Sequence, residues 1–405
     1  MKNSRINAID IGTSKVCSLI AETDGSGIRI LGAGISASHG LQKGQVANIN
    51  EAREAIRNSI YLAEKTAGCR MHSAVISVTG KQIVSWNKRG VISITSNKKQ
   101  NVLPGDVRRV LDISRSETLS PEDSVLHQIP KYYRVDGQDG VKNPVGMHGY
   151  RLDVETHTVT APLNSIENLV KCINGAGVKV DSMVFEPIAS SLAVLTEDEK
   201  RDGVILADIG AGTTNVAAYN NDSIFISLVI PVAGNQITRD ISMGLGLSID
   251  VSEELKLKYG SVIPISETDR KKNLAGKGQN IPYQDLFDIT KIRTEELLRL
   301  IVIQLQNALE NTRATRAFDP TAMVLCGGTA NLPGIVELAQ EVTGIPCRIG
   351  YPPQVSGIAD NMDDPACAAS FGLLIWKMEH PRPIFKHQVS VKAAGTGGLL
   401  ANLLK

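Results

Sequence analysis

The sequence predicts an α/β protein of two or more domains, and three observations carry that expectation. The apolar residues are mainly Ile, Val, Leu and Ala, with only 4% aromatics, which suits alternating strands and helices packed in layers. A length of 405 residues exceeds what a single hydrophobic core usually organises. One short motif also occurs twice, about 200 residues apart, roughly the span of one domain. It reads Asp10-Ile11-Gly12-Thr13-Ser14-Lys15 and then Asp208-Ile209-Gly210-Ala211-Gly212-Thr213-Thr214-Asn215.

Each copy lies between two apolar runs, Ile6 to Ile9 and Val16 to Ala21 for the first, Val204 to Ala207 and Val216 to Tyr219 for the second. That pattern is strand, tight turn, strand. The glycines permit φ > 0 and a close backbone approach. Such a turn aims several N–H groups at one point, which suits a phosphate. The leading aspartates, Asp10 and Asp208, suit Mg²⁺ held through water, because hard cations take oxygen ligands. One copy alone reads equally well as an ordinary hairpin. Two matched copies point to a triphosphate gripped from both sides.

Composition excludes several classes. The net charge of +1 gives no footprint for nucleic acid. Cys17, Cys69, Cys172, Cys326, Cys347 and Cys367 are scattered with no C-x-x-C pair, so neither a zinc site nor a disulfide framework is expected. A reduced cytosol fits that usage. The polar start enters a strand almost at once, so no signal peptide is expected, and no apolar run is long enough to cross a bilayer.

In chain order, Ile28 to Ile35 is strand-like. Glu51 to Thr66 carries Ala52, Ile56, Ile60 and Ala63 on one helical face, with Gly68 just beyond it. Ser73 to Thr79 returns as a strand, and Val91 to Thr95 begins a region of different character. There Pro104 opens a helix through Arg115, His127 to Met147 is rich in Pro, Gly and Tyr, and Arg151 to Thr160 is a strand. This region reads as a small α+β module inserted in the first domain. Ser165 to Ala176 is a helix, Val178 to Phe185 a strand and Pro187 to Leu195 a helix with proline early in it. Ile224 to Pro231 is a strand, and Asn235 to Met243, Asp250 to Tyr259 and Thr290 to Arg316 are helices. Ser266 to Asn280 is polar and reads as an exposed loop. Met323 to Cys326 is a buried strand, and a last helix runs from Pro365 to about Met378.

Further site candidates follow. Gly327-Gly328-Thr329-Ala330-Asn331 lies at a strand end and opens a helix, where small residues admit a flat base or a phosphate. Tight packing alone would also use such a turn. Glu186, at a helix start, can orient a water toward a terminal phosphate or simply favour the helix dipole. Glu253, Glu254, Lys256 and Lys258 precede Gly260; they form either a solvated helix face or contacts to a base and ribose.

Together the two D-I-G turns, the Glu186-Pro187 helix and the late G-G-T-x-N-L-P-G resemble the actin, sugar-kinase and heat-shock chaperone ATPase superfamily. The stretch His127 to Thr160 closely resembles the insert of FtsA, the bacterial cell-division actin homologue, and Phe185 to Lys200 and Glu253 to Gly260 resemble that family too. The resemblance spans nearly the whole chain. It implies an actin-like two-domain ATPase fold with a small inserted α+β subdomain, and ATP with Mg²⁺ in the cleft between the domains. It matches Asp10 and Asp208 to the metal side. Gly12, Thr13, Ser14 and Lys15 match the first phosphate loop, and Gly210, Gly212, Thr213, Thr214 and Asn215 the second. Glu186 matches the connecting-helix acid. Gly327, Gly328, Thr329 and Asn331 match the adenosine loop, and Glu253 and Lys256 the base and ribose contacts. Ala233-Gly234 departs from the two glycines usual there.

The implied organisation is a first-domain core at 1–82, the insert at 83–162, a return with the connecting helix at 163–200, a second domain at 201–378 with an upper part at about 235–315, and a tail at 379–405. FtsA-like proteins polymerise head to tail, bind the C-terminal tail of FtsZ, attach to the cytoplasmic face of the membrane at the division site and recruit later division proteins. The expected function is that of such a scaffold, at most a slow ATPase. In the tail, Leu399, Leu400, Leu403 and Leu404 make one apolar helical face after a glycine linker, although it is short and its only basic residue is Lys405. The alternatives are a PilM-like pilus scaffold, against which the insert argues, and a sugar-kinase-type phosphotransferase, for which no segment supplies the hydroxyl-activating Asp. A chaperone is disfavoured because little chain remains for a peptide-binding domain.

Overall fold

The computed structural model describes residues 4–23, 27–94, 100–116, 120–270, 272–276, 279–311, 318–357 and 362–381. Two main sheets repeat one topology. In the first, Lys179–Phe185, Ser73–Val78, Ser4–Ile11, Lys15–Thr23 and Ile28–Ala37 lie side by side, with Ser356–Gly357 at the edge. In the second the order is Cys347–Ile349, Ala322–Cys326, Val204–Ile209, Thr214–Asn220 and Ser223–Ile230. Each contains an antiparallel three-strand meander whose first strand pairs in parallel with a later strand. Both motif copies occupy the turn between the first two strands of their meander, so the sequence repeat is a structural repeat.

The strands that end in the motif are apolar on both faces. Val204–Ile209 is buried at every position, as expected of strands covered by helices on both sides. The helix Ile49–Ala67 covers the first sheet. Asn48 caps its start by accepting from the N–H groups of Asn50 and Glu51, and Gly68 ends it in the left-handed conformation.

Two short helices cross where the halves meet, Glu186–Val194 and Ala368–Glu379. A Cβ on Gly372 would overlap the carbonyl oxygen of Ala189, so only glycine permits this approach. Around the crossing, Phe185, Phe371, Leu373 and Leu374 join one core with Ile9 and Ile76 of the first sheet and Leu206, Ala217 and Val324 of the second.

The insert is a four-stranded antiparallel sheet, Val84–Ser93, Arg151–Pro162, Asp123–Val135 and Gln138–Val141, covered on one face by Pro104–Ser116 through Val110, Ile92, Leu152 and Val154. Its other face meets the edge strand Ser223–Ile230. Ser85 Oγ donates to the Ser227 carbonyl at 2.6 Å and Asn87 Nδ2 to the Phe225 carbonyl at 2.7 Å. Buried His157 contacts Asn87 Oδ1 at 2.9 Å and Ser227 Oγ at 2.7 Å. Burial, and then the charge of Lys131, lower its pKa to about 3.

Three expectations change, and one stretch gains a structure. The strand predicted at Val91 to Thr95 is Val84–Ser93; its early part went unseen because Ser85 and Asn87 bury polar side chains in that seam, which hides the alternation. The Pro- and Tyr-rich stretch is mostly strand, with Pro130 opposite Thr156 at a register shift, where a missing N–H is tolerated. Ser266 to Asn280 is not simply a loop: it holds the helix Glu267–Arg270 and a hairpin, Asn273–Gly276 with Gln279–Pro282. The long helix is Tyr283–Asn311, starting earlier than Thr290. Thr290 and Thr294 are buried and return their hydroxyls to the carbonyls of Leu286 and Thr290, each at 2.7 Å, so polar residues occupy the inner face and break the apolar period.

The crossing yields a paired test. Gly372→Ala should destabilise the protein by about 1–3 kcal/mol through overpacking. Gly105→Ala, in the helix Pro104–Ser116 with nothing near its absent Cβ, should be neutral or stabilise by up to ~1 kcal/mol. Urea denaturation of both variants checks this.

Candidate functional site

Both motif turns close in the same way. Gly12 N–H donates to the Lys15 carbonyl at 3.0 Å and Gly210 N–H to the Thr213 carbonyl at 3.0 Å. They face each other across a cleft. A Cβ on Gly212 would lie 2.6 Å from Thr13 Oγ1 of the opposite turn. Close approach is therefore what these glycines provide. The expected positive φ is absent at Gly12, Gly210 and Gly212.

The turns form the floor of a cavity of about 350 Å³, within the usual range for small-molecule sites. From the first turn Asp10, Gly12, Thr13, Ser14 and Lys15 line it, and from the second Asp208, Gly210, Gly212 and Thr213. Glu186 enters from the connecting helix, and Gly327, Gly328, Thr329 and Asn331 from the strand end Ala322–Cys326. Glu253 and Lys256 line it from the helix Ile249–Tyr259.

Thr214 and Asn215 are not brought to the cavity. Thr214 donates its hydroxyl to the Val232 carbonyl at 2.8 Å, and Asn215 is fully buried behind the turn. On a strand, successive side chains take opposite faces, and these two have left the turn. Leu399, Leu400, Leu403 and Leu404 lie outside the described residues.

Gly327 adopts φ +83°, and a Cβ there would meet Asp208 Oδ1, so a glycine is required beside that carboxylate. Thr329 Oγ1 donates to the Gly210 carbonyl at 2.9 Å, tying the late glycine turn to the second phosphate-type turn. Lys256 Nζ lies 2.7 Å from Glu253 and 2.8 Å from Thr238 Oγ1. Asn331 Nδ2 donates to Asp364 at 2.8 Å.

Three carboxyls, Asp10, Asp208 and Glu186, converge on the floor, and serines hold the two aspartates from behind. Asp10 accepts from Ser77 Oγ at 2.9 Å and Ser370 Oγ at 3.0 Å. Asp208 accepts from Ser190 Oγ. Burial raises the pKa of Asp10 against the pull of the Ser77 bond and Lys15. It lifts Asp208 to about 6, against the Ser190 bond, with Asp10 adding to the rise. The pKa of Glu186 is raised well above the ordinary carboxylate range, first by burial and then by the charges of Asp208 and Asp10. Burial works to lower Lys15, but the nearby thiols of Cys367 and Cys17 and the carboxyls of Asp10 and Asp364 outweigh it and raise its pKa.

Sequence reasoning missed the serines Ser77, Ser190 and Ser370, together with Thr79, which lines the cavity. Ser190 and Ser370 sit in apolar helices, where a polar residue among alanines was the available signal.

Among the described residues no group of three or more His, Cys, Asp or Glu side chains is arranged to hold a metal by itself. Mg²⁺ rarely needs one, since it takes one or two carboxylates together with waters and substrate phosphates. Asp10 and Asp208 fit that donor set, and buried Glu186 Oε2 has no hydrogen-bond partner.

Comparison with known proteins places the chain in a family. Residues 205–372 match the family model described as cell division protein FtsA, and residues 80–160 match the SHS2 domain inserted in FtsA. A cell division protein FtsA of Pseudomonas aeruginosa is 36% identical over 92% of this chain and 89% of its own length. That of Escherichia coli K12 is 33% identical over 92% and 90%, and that of Neisseria meningitidis 34% over 98% and 96%. Among solved structures, a PilM–PilN type IV pilus biogenesis complex superposes with TM-score 0.66 at 17% identity, covering 92% of this chain and 98% of that one. MreB5 of Spiroplasma citri bound to ADP gives TM-score 0.53 at 14% identity, covering 93% and 97%. These structures show an actin-like fold.

The Asp208 carboxyl gives a pH test. Its folded pKa, about 6, lies above the ordinary 3.8, so the native state holds the proton more tightly than the unfolded chain. Its contribution to stability therefore falls as pH rises from about 4 to about 6. Asp208→Asn, neutral throughout, should be more stable than the native chain at pH 7.5 without nucleotide, by at most about 3 kcal/mol. The gap should close below about pH 4. Tm measured across pH checks it.

Proposed function

The chain belongs to the FtsA family of cell-division proteins, and from that membership we propose a nucleotide-dependent scaffold whose Mg-ATP site is the cleft between its two lobes. The observation that carries this is the approach of Gly212 to Thr13, two matched turns facing one cavity. The backbone N–H groups of both turns suit the phosphates, and Lys15 supplies a compact positive charge beside them. Asp10 and Asp208 would hold Mg²⁺ through water; when bound, it neutralises charge on the phosphates. Gly327, Gly328, Thr329 and Asn331 suit the adenosine, with Glu253 and Lys256 nearby.

ATP spanning both turns stabilises one spacing of the lobes, because only that spacing lets both turns contact it. Output by assembly follows: head-to-tail polymers, binding of the FtsZ tail, recruitment of later division proteins and attachment to the cytoplasmic face of the membrane through Leu399, Leu400, Leu403 and Leu404. Hydrolysis is slow in this reading, since the product is an assembly state.

Two measurements test it. Lys15→Ala and Asp208→Asn should each weaken Mg-ATP binding at least about tenfold, the loss of about 1.4 kcal/mol, by calorimetry. Native affinity in the folded Asp208→Asn protein would reject the metal-side assignment. In liposome co-sedimentation, deletion from Leu399 onward should remove membrane binding without changing nucleotide affinity.

A further inference from the structure

Behind the cleft, three residues from three different elements meet. Thr79 follows the first-lobe strand Ser73–Val78, Asn215 lies on the second-lobe strand Thr214–Asn220 directly opposite Asp208, and Glu186 opens the connecting helix. Thr79 is 6% exposed and Asn215 wholly buried. Thr79 Oγ1 donates to Asn215 Oδ1 at 2.6 Å, a hydrogen bond from one lobe to the other.

That bond orients the carboxamide. With Oδ1 accepting, Nδ2 is the donor that remains, and it has no hydrogen-bond partner. Glu186 Oε2 is a buried acceptor in the same condition. Unpaired buried polar atoms are costly and rare in native proteins. Here an unmatched donor and an unmatched acceptor belong to neighbouring groups. Asn215 favours the charged form of Glu186, against burial and against the charges of Asp208 and Asp10, while the one Thr79 hydroxyl proton is committed to the amide.

We propose that Asn215 and Thr79 are positioning residues for the Glu186 carboxyl, one supplied by each lobe, and not phosphate contacts. This rests on the Mg-ATP reading of the cleft. In hydrolysis the water oxygen bonds to the terminal phosphorus and the bond from that phosphorus to the ADP oxygen breaks. The water's proton passes to the Glu186 carboxylate. Asn215 favours the charged form of that carboxyl and aims it, and its donor is held in place only while Thr79 grips the amide. The lobe spacing that lets both turns hold the phosphates is thereby also the spacing that readies Glu186.

The experiment uses the full chain. Single-turnover phosphate release and Mg-ATP affinity are measured across pH for Asn215→Ala, Thr79→Val, Thr79→Ser and Glu186→Gln. Asn215→Ala and Thr79→Val should slow phosphate release about tenfold or more, while affinity stays within about threefold. The acid limb of the Asn215→Ala profile should move up, because a donor favouring the carboxylate is gone. Thr79→Ser should restore the native profile, and Asn215→Ala should add nothing to Glu186→Gln. An affinity loss of tenfold with an unmoved profile would make Asn215 a phosphate contact and overturn the proposal. Absence of Mg-ATP binding by the native chain would instead defeat the nucleotide reading. In that event a urea-denaturation cycle of Asn215→Ala and Glu186→Gln still decides the pairing: coupled midpoints support it, and additive ones refute it.

Discussion

The backbone of Gly372 rests against the Ala189 carbonyl oxygen, and the chemistry of the cleft is arranged around that contact. It lets the helices Glu186–Val194 and Ala368–Glu379 cross at minimum separation. One helix carries Glu186 and Ser190, the other Ser370. Ser190 holds Asp208 of the second lobe and Ser370 holds Asp10 of the first. The acids facing the cavity are thus positioned by side chains projecting from a single packed junction. A wider crossing would move Ser190 and Ser370 apart and take a donor from each of two buried carboxylates, leaving Asp10 only Ser77 among these serines, a costly state.

The convergence of Asp10, Asp208 and Glu186 is unfavourable on its own terms. Burial raises all three pKa values, and the charge of neighbouring acids adds to the rise at Asp208 and Glu186. An apolar floor would fold more stably. Acids kept together at that cost are a hallmark of functional sites. The core pays for this locally, since both lobes contribute to one apolar cluster around the same helices.

The insert stands apart from this logic. Its seam with Ser223–Ile230 is polar, built from Ser85, Asn87, His157 and Ser227. The bonds to the carbonyls of Phe225 and Ser227 occupy acceptors on what would otherwise be an open sheet edge, a recognised pairing hazard. The same strand continues to Ile230, opposite Thr214 at the second turn, so the insert and the cleft are joined by one continuous backbone.

Much was legible in the sequence. The repeat of Asp-Ile-Gly between apolar runs located both turns and the two strands that flank each, because glycine between apolar runs marks a tight turn. Local polarity misled where packing took in polar side chains: Ser85 and Asn87 hid the start of a strand. Thr214 and Asn215 show the other failure, since a contiguous motif does not say where turn ends and strand begins. What the sequence by itself determined was the kind of chemistry, two glycine turns each led by an aspartate, since residue type and short-range spacing dictate backbone geometry. What only the tertiary structure decided was that the turns face each other, which serines hold the acids, and that Thr79 reaches Asn215 across 136 positions. Those are contacts between distant parts of the chain, made by packing, and no local pattern encodes them.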